Sequence, residues 1–393
     1  EASTVSTVHF RSCSITDCQV PNYIISSTID TFKFESSIIN YTSDIDPELS
    51  ALIYSSSKTI EILFSQFINT NSNGTITCNN VETMLTIDNC IFDNCKGLKS
   101  VCFELTVDSA KLIFRHNLIQ NININQFSFG AFSFTNGDSF SITNITFRSN
   151  LGSANGQYQT DITTFEITGI NTFIFNECKW ISNNPGSYSA PGAIEITSID
   201  FVETFNFDSC YFEQNIGVNG GAIKISSAET QAIHINHCQF LRNRATSGGA
   251  LYLSSNGGSI IVDACQFENN FADNGLDIYI YENTGDISIK STNSFNNVNQ
   301  TGSLIYTQSQ FQFEFPTITY QAGQDKSARP LQIASPSETI LLSYQTFTEC
   351  KHTDGIGNAI YISLGSCTFE HCVFQNCGSK GFAVQADNQA RIL

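Results

Sequence analysis

Charge is scarce in this chain: Asp, Glu, Lys and Arg make up 14% of 393 residues, against about a quarter in ordinary domains. The Ala, Leu, Glu and Lys content that helices draw on is thin, which argues against a helical protein. No apolar run is long enough for a membrane-spanning helix. The chain opens at Glu1 without an initiating Met or a basic-then-apolar leader, so it reads as a mature protein or a segment of a longer one. Positive charge is scarcest: 18 Lys and Arg face 36 Asp and Glu, a formal charge of −18. A field of that sign repels nucleic acid and anionic lipid headgroups, so neither is expected as a partner.

Asn, Ser, Thr, Ile and Phe are abundant instead, and they recur with a period. FNFDSCYFEQN (205–215), IHINHCQFLRN (233–243) and IIVDACQFENN (260–270) share one template. Two alternating apolar residues lead to a polar bend, then Cys-x-Phe-x-x-Asn. The Phe-type anchor can be followed as Ile15, Ile39, Phe67, Phe92, Leu118, Phe147, Trp180, Phe212, Phe240, Phe267, Phe295, Tyr320, Phe347 and Phe374. From 15 to 374 is 359 residues over 13 intervals, about 28 per repeat. That is too short for two helices with connections, and every repeat carries strand-like alternation.

A second template lies between the anchors: GGAIKI (220–225), GGALYL (248–253), GLDIYI (275–280) and NAIYI (358–362). Each is a turn glycine entering a strand with alternating inward and outward side chains. The expected fold is all-β, one right-handed parallel β-helix of about fourteen coils over residues 1–393, roughly 65–70 Å long.

Stacked coils place like residues in columns. Phe147, Trp180, Phe212, Phe240, Phe267 and Phe295 are expected to form an interior aromatic stack. Cys178, Cys210, Cys238 and Cys265 form a second column. Asn121, Asn150, Asn183, Asn215, Asn243 and Asn270 form a third, at a turn where inward amides can bond one another and the backbone.

These motifs resemble the repeats of polymorphic membrane proteins of the chlamydial type, with similar families on trichomonad surfaces. Gly220 to Ile223 and Gly248 to Leu251 match the Gly-Gly-Ala-Ile/Leu motif; Phe147/Asn150, Phe212/Asn215, Phe240/Asn243 and Phe267/Asn270 match Phe-x-x-Asn. The strict match covers roughly residues 140–280. The resemblance implies a β-helical passenger at a cell surface, often in attachment. The chain departs from it in lacking a carboxy-terminal membrane barrel and in placing Cys at several Asn positions.

Three coils carry Cys at both corner positions, which suggests in-coil disulfides Cys13/Cys18, Cys90/Cys95 and Cys372/Cys377. The competing reading is that Cys is a small buried hydrophobe filling a corner. Glycosylation sequons occur at Asn40, Asn73, Asn144 and Asn299, a number that an Asn-, Ser- and Thr-rich chain also produces by chance.

An enzyme is the natural rival. The best carboxylate pair for a glycoside hydrolase is Asp208 and Asp263, at equivalent bends two coils and so about 10 Å apart. Glu35, Asp88, Asn176, Asn236 and Glu370 hold the same bend elsewhere, so a short polar acceptor capping the bend explains the whole column without catalysis. Patterns familiar from pectin-cleaving enzymes, a phosphate loop, a zinc spacing and a nucleophile–His pairing are not found, so no cofactor and no catalytic residue is expected.

The longest inter-anchor intervals add residues after one and the same turn, at 122–128, 151–163 and 184–191. They are expected to form a ridge bearing Gln126, Tyr158, Asp161 and Tyr188, groups suited to glycan or protein contact, although tolerated variation in turn length explains them as well. The sequence thus reads as a non-enzymatic extracellular or cell-surface adhesin-like protein meeting a host or matrix protein or glycan. The rivals are a module stacking end to end into a filament or coat, and a polysaccharide lyase or hydrolase.

Overall fold

The computed structural model describes residues 6–17, 23–40, 51–70, 75–97, 103–108, 111–124, 130–152, 164–184, 192–196, 199–200, 204–225, 232–254, 258–281, 285–297, 300–314, 317–318, 328–350, 352, 357–378, 381–387 and 390–392. Among them every regular element is a strand, and the ladders are parallel. The protein is a parallel β-solenoid.

One coil shows how the templates fold. Thr204–Asp208 is a stem strand with Phe205 and Phe207 inward. A bend at Ser209 leads to the short strand Tyr211–Glu213, centred on buried Phe212. A second bend at Gln214 precedes the inward Asn215, and the Gly-Gly turn enters Ile223–Ile225. The next coil repeats this in register, Phe205 on Ile233, Phe212 on Phe240 and Ile223 on Leu251.

The bends share one conformation in nearly every coil, the coil of Ser294–Asn296 excepted. Among the described residues, the 23 non-glycine residues with positive φ lie in two columns flanking the short strand, 12 before it and 11 after. Left-handed backbone costs an L-residue roughly 1–2 kcal/mol, so short polar side chains that bond locally are favoured there. The double glycine answers two different demands. Gly248 has φ +64°, and a Cβ on it would lie 2.0 Å from the Leu251 carbonyl oxygen. A Cβ on Gly249 would lie 2.0 Å from the Leu276 carbonyl oxygen of the next coil.

The anchor rings stack face to face with centroids 5.2 Å (Phe147–Trp180), 4.6 Å (Trp180–Phe212), 5.0 Å (Phe212–Phe240) and 4.7 Å (Phe267–Phe295) apart. The asparagine ladder runs beside them through Asn150, Asn183, Asn215, Asn243 and Asn270, all buried. In Asn243 the Nδ2 group donates to the Phe212 carbonyl (3.0 Å) and to Asn270 Oδ1 (3.1 Å), while Oδ1 accepts from the Asn215 amide N–H (3.1 Å) and Asn215 Nδ2 (2.9 Å). Both donors and both acceptor directions of the amide are used, which is why Asn suits this corner where the neighbouring coils also carry Asn.

The ladder ends on an acid. Asn270 Nδ2 donates to Asp277 Oδ1 at 2.9 Å, and Asn297 Nδ2 to Asp277 Oδ2 at 2.5 Å. Asp277 replaces the motif alanine held by Ala222 and Ala250, and its carboxylate stands where a further amide oxygen would be. It is fully buried, and burial pushes its carboxyl up to about 7 against the two amide donors.

Several expectations are corrected. The anchor strands form one twelve-stranded ladder, with Thr346–Thr348 and Val373–Gln375 paired separately, so the unbroken stack is shorter than fourteen coils. The fifth anchor is Ile119, stacked between Phe92 and Phe147, while Leu118 faces out; Ile318, not Tyr320, pairs with Phe295. Asn121 therefore does not join the ladder. It is an exposed bend residue (φ 55°) whose Nδ2 donates to Asp93 Oδ1, and Ile122 fills the corner. That coil has exchanged its two corners: Asn117 sits in the Cys place, bonding the Cys90 amide and the Ile87 carbonyl.

The in-coil disulfides are not made. Cys90 is not bonded to Cys95, nor Cys372 to Cys377, and each thiol lies against backbone carbonyls. Three extended residues at about 3.3 Å each hold the corner Cα atoms about 10 Å or more apart, beyond the roughly 7 Å a disulfide spans. Cys13 is free as well, and Cys18 lies outside the described residues.

Candidate functional site

The carboxylates suggested for hydrolysis occupy one register column, Asp208 on Asn236 on Asp263. Each is engaged with the following coil: Asp208 with His237 Nδ1 at 3.2 Å, Asp263 with the Thr292 hydroxyl. The same column holds Glu35 against His9 (3.0 Å) and Asp88 between Arg115 (2.9 Å) and His116 (2.8 Å). It is a row of surface ion pairs and hydrogen bonds between coils. His234 and His237 both lie on the outside, half-buried and exposed respectively. Among the described residues no group of three or more His, Cys, Asp or Glu side chains could hold a metal ion.

The thiol column is internal. Cys178, Cys210, Cys238 and Cys265 are buried, and each Sγ donates to a carbonyl of its own coil, such as Asn236 O for Cys238 (3.2 Å) and Asp263 O for Cys265 (3.2 Å). Burial pushes the Cys178 and Cys238 thiols well above the ordinary range. Against the raising effect of burial, hydrogen bonds with the Cys178 and Cys238 thiols draw Cys210 down to about 5, so the column fills space and bonds both backbone and its own thiols.

The proposed ridge residues Gln126, Tyr158, Asp161 and Tyr188 lie outside the described residues, as do Asn73 and Asn299. Of the other two sequon asparagines, Asn40 is half-buried and accepts from Asn69 Nδ2 at 3.1 Å, while Asn144 is an exposed bend residue with φ 53°.

The chemically richest outer face comes from the second template. Its strands present one outward side chain each, and register aligns them as Glu195, Lys224, Tyr252, Tyr279, Tyr306, Gln332, Tyr361 and Gln385. The Tyr252, Tyr279 and Tyr306 rings stack with centroids 5.2 and 5.1 Å apart. Tyr281 lies 6.0 Å from Tyr252 and 6.3 Å from Tyr279. Glu195 and Lys224 neutralise each other at one end. Near the other, the buried Arg329 guanidinium sits 4.8 Å from the Tyr361 ring centroid.

No family model, curated protein or solved structure matches this chain. The parallel ladder aligns the row, its tyrosines combine ring edges with hydroxyls although Tyr279 is only 7% exposed, and Lys224 is paired with Glu195. This suits a contact surface. The signal was present in the sequence: Leu-Tyr-Leu, Ile-Tyr-Ile and Ile-Tyr-Thr place Tyr at the outward position of consecutive repeats.

Proposed function

We propose that this chain is a non-enzymatic, adhesin-like interaction protein of a cell surface or the extracellular space, whose rigid solenoid displays a contact face to a host or matrix glycan or protein. The observation that carries this reading is the in-register outward row centred on Tyr252, Tyr279 and Tyr306. Aromatic hydroxyl side chains on a rigid scaffold give contact area and hydrogen bonds at low ordering cost. The kinship to chlamydial- and trichomonad-type polymorphic membrane protein repeats belongs to the same reading. It is supported by the separate jobs of the two motifs: the double glycine lets coils approach, and Phe-x-x-Asn supplies the aromatic and amide columns. The exposed sequon Asn144 is consistent with an extracellular location. A non-catalytic role is supported by the engagement of Asp208 and Asp263 with neighbouring coils.

The test is binding of the whole chain to a glycan array and a panel of matrix proteins. Three forms are compared: the natural sequence, a Tyr252→Ala/Tyr279→Ala/Tyr306→Ala variant, and a variant trimmed at 151–163 and 184–191. Loss of a saturable hit in the tyrosine variant alone supports the row. Loss in the trimmed variant alone moves the contact to the turn ridge. Binding that survives both sinks the proposal, and a blank panel directs attention to concentration-dependent self-assembly.

A further inference from the structure

The distance that forbids a disulfide across one coil permits one between coils. Cys350 and Cys377 hold the same corner of consecutive coils. The strands before them pair as Thr346 on Val373, Phe347 on Phe374 and Thr348 on Gln375, and the Phe347 and Phe374 rings stack at 4.9 Å. Both strands then turn through the same left-handed bend, at Glu349 (φ 52°) and Asn376 (φ 53°). Register is kept past the corner, since the Gly378 N–H donates to the Cys350 carbonyl at 2.7 Å. One coil rise, about 4.8 Å, therefore separates the two Cα atoms, inside the roughly 4.4–6.8 Å that a disulfide spans.

The side chains are turned to each other. The Cys377 thiol reaches back to the Phe347 carbonyl of the preceding coil at 3.3 Å, and it is in hydrogen-bond contact with the Cys350 thiol. Access separates this pair from the other stacked thiols. Cys178, Cys210, Cys238 and Cys265 are all buried, in coils whose anchor strands belong to the twelve-stranded ladder. Cys350 is buried too, but Cys377 is only half-buried. Its anchor strand Val373–Gln375 pairs with Thr346–Thr348 alone among the described residues, in a ladder of two strands. A ladder that small can close by the roughly half an ångström that brings stacked Cβ atoms into bridging range. Cys372, at the other corner of the coil, stands about 10 Å from Cys377 across three extended residues.

We propose that Cys350 and Cys377 are a modification site, forming an inter-coil disulfide by exchange with a small disulfide such as oxidised glutathione. The Cys377 thiolate attacks the small disulfide RS–SR, forms Cys377 Sγ–SR and releases RS⁻. Cys350 yields its proton to the released thiolate, attacks Cys377 Sγ and expels the second RS⁻, which takes up the proton Cys377 had lost. Two protein thiols are oxidised, and one small disulfide is reduced to two thiols. Burial, and then the neighbouring Cys377 thiol, push the Cys350 thiol up, so the second step is the slow one. The bridge staples Thr346–Thr348 to Val373–Gln375 and closes the chain between 350 and 377 into a loop, which removes freedom from the unfolded state.

The experiment equilibrates the whole reduced chain in glutathione buffers of increasing oxidised fraction. Remaining thiols are then blocked, disulfide-linked peptides are mapped by mass spectrometry, and urea unfolding is followed on the same samples. A peptide pair joining 350 to 377 is expected to grow with the oxidised fraction, and the unfolding midpoint to rise in step with it. Cys350→Ser is expected to stop at one glutathione on Cys377, and Cys377→Ser to form no link at Cys350; neither should show the rise in midpoint. The map of the natural chain decides the matter even where a variant folds poorly. No 350–377 link at any oxidised fraction, a lasting glutathione adduct on Cys377 of the natural chain, or either cysteine linked to a different partner overturns the inference.

Discussion

Replacing Asp277 by Asn should remove a pH-dependent penalty built into the rod. The carboxyl is fully buried, and burial raises it from 3.8 to about 7 while the Asn270 and Asn297 amides pull the other way. Its folded value exceeds its unfolded one, so between these limits the folded state holds a proton that the unfolded chain has released. The group therefore costs nothing below about pH 3.8. The penalty grows as pH rises through the window and is complete above about pH 7. Three units at 1.36 kcal/mol each give about 4 kcal/mol as the full excursion. An Asn at this position can accept from Asn270 as Asp277 does, and with Asn297 turned over it extends the amide ladder uncharged. Urea unfolding followed by Trp180, the single tryptophan, measures this at pH 4.5, 6 and 8, conditions chosen to bracket the window. The natural chain and Asp277→Asn should be similar at the lowest pH. The variant should gain steadily to about 4 kcal/mol at the highest. Comparing the two proteins cancels the other acidic groups. A difference that stays constant with pH, or a natural chain that is the more stable at pH 8, refutes the reasoning.

Three further outcomes follow from the packing. Asn243→Leu should cost about 3 kcal/mol or more in urea unfolding, because it leaves the Phe212 carbonyl and the Asn215 amide without their bonds; a neutral result would show the ladder to be dispensable. Phe64 is 57% exposed at a left-handed bend of φ 51°, so Phe64→Asn should stabilise by about 1 kcal/mol in the same assay, and a loss of stability would contradict the account of the bends. Iodoacetamide should leave Cys178, Cys210, Cys238 and Cys265 unlabelled in the native chain and label all 14 cysteines after unfolding; native labelling of Cys210 would break the burial argument.

The fold was readable from sequence because the inward positions repeat with little variation: Phe212, Phe240 and Phe267 each follow Cys by two residues and precede Asn by three. Register failed where the chain offered two apolar candidates side by side. Leu118 and Ile119 are equivalent to a hydrophobicity pattern, and only packing chose Ile119. Choosing Leu118 also drew Asn121 into the ladder, because the exchange of Asn117 and Ile122 between corners preserves composition while reversing positions. The in-coil disulfides failed for a metrical reason, since sequence proximity hides the extended strand between the two corners. Asp277 was visible as an acid in an alanine place, but its meaning depends on Asn270 and Asn297, which only the coil geometry brings to it. The tyrosine row was equally visible in the outward positions and emerged once register aligned them.

Register places residues far apart in sequence on neighbouring rungs of one outer face. Spin labels at positions 224 and 361, separated by 137 residues of sequence and five coil steps, test it by dipolar electron resonance. The solenoid requires label anchors about 24 Å apart with a single narrow distribution, and labels at 252 and 306 at about 10 Å. A broad distribution, or a 252–306 separation equal to or greater than that of 224–361, would contradict the register on which the contact face depends.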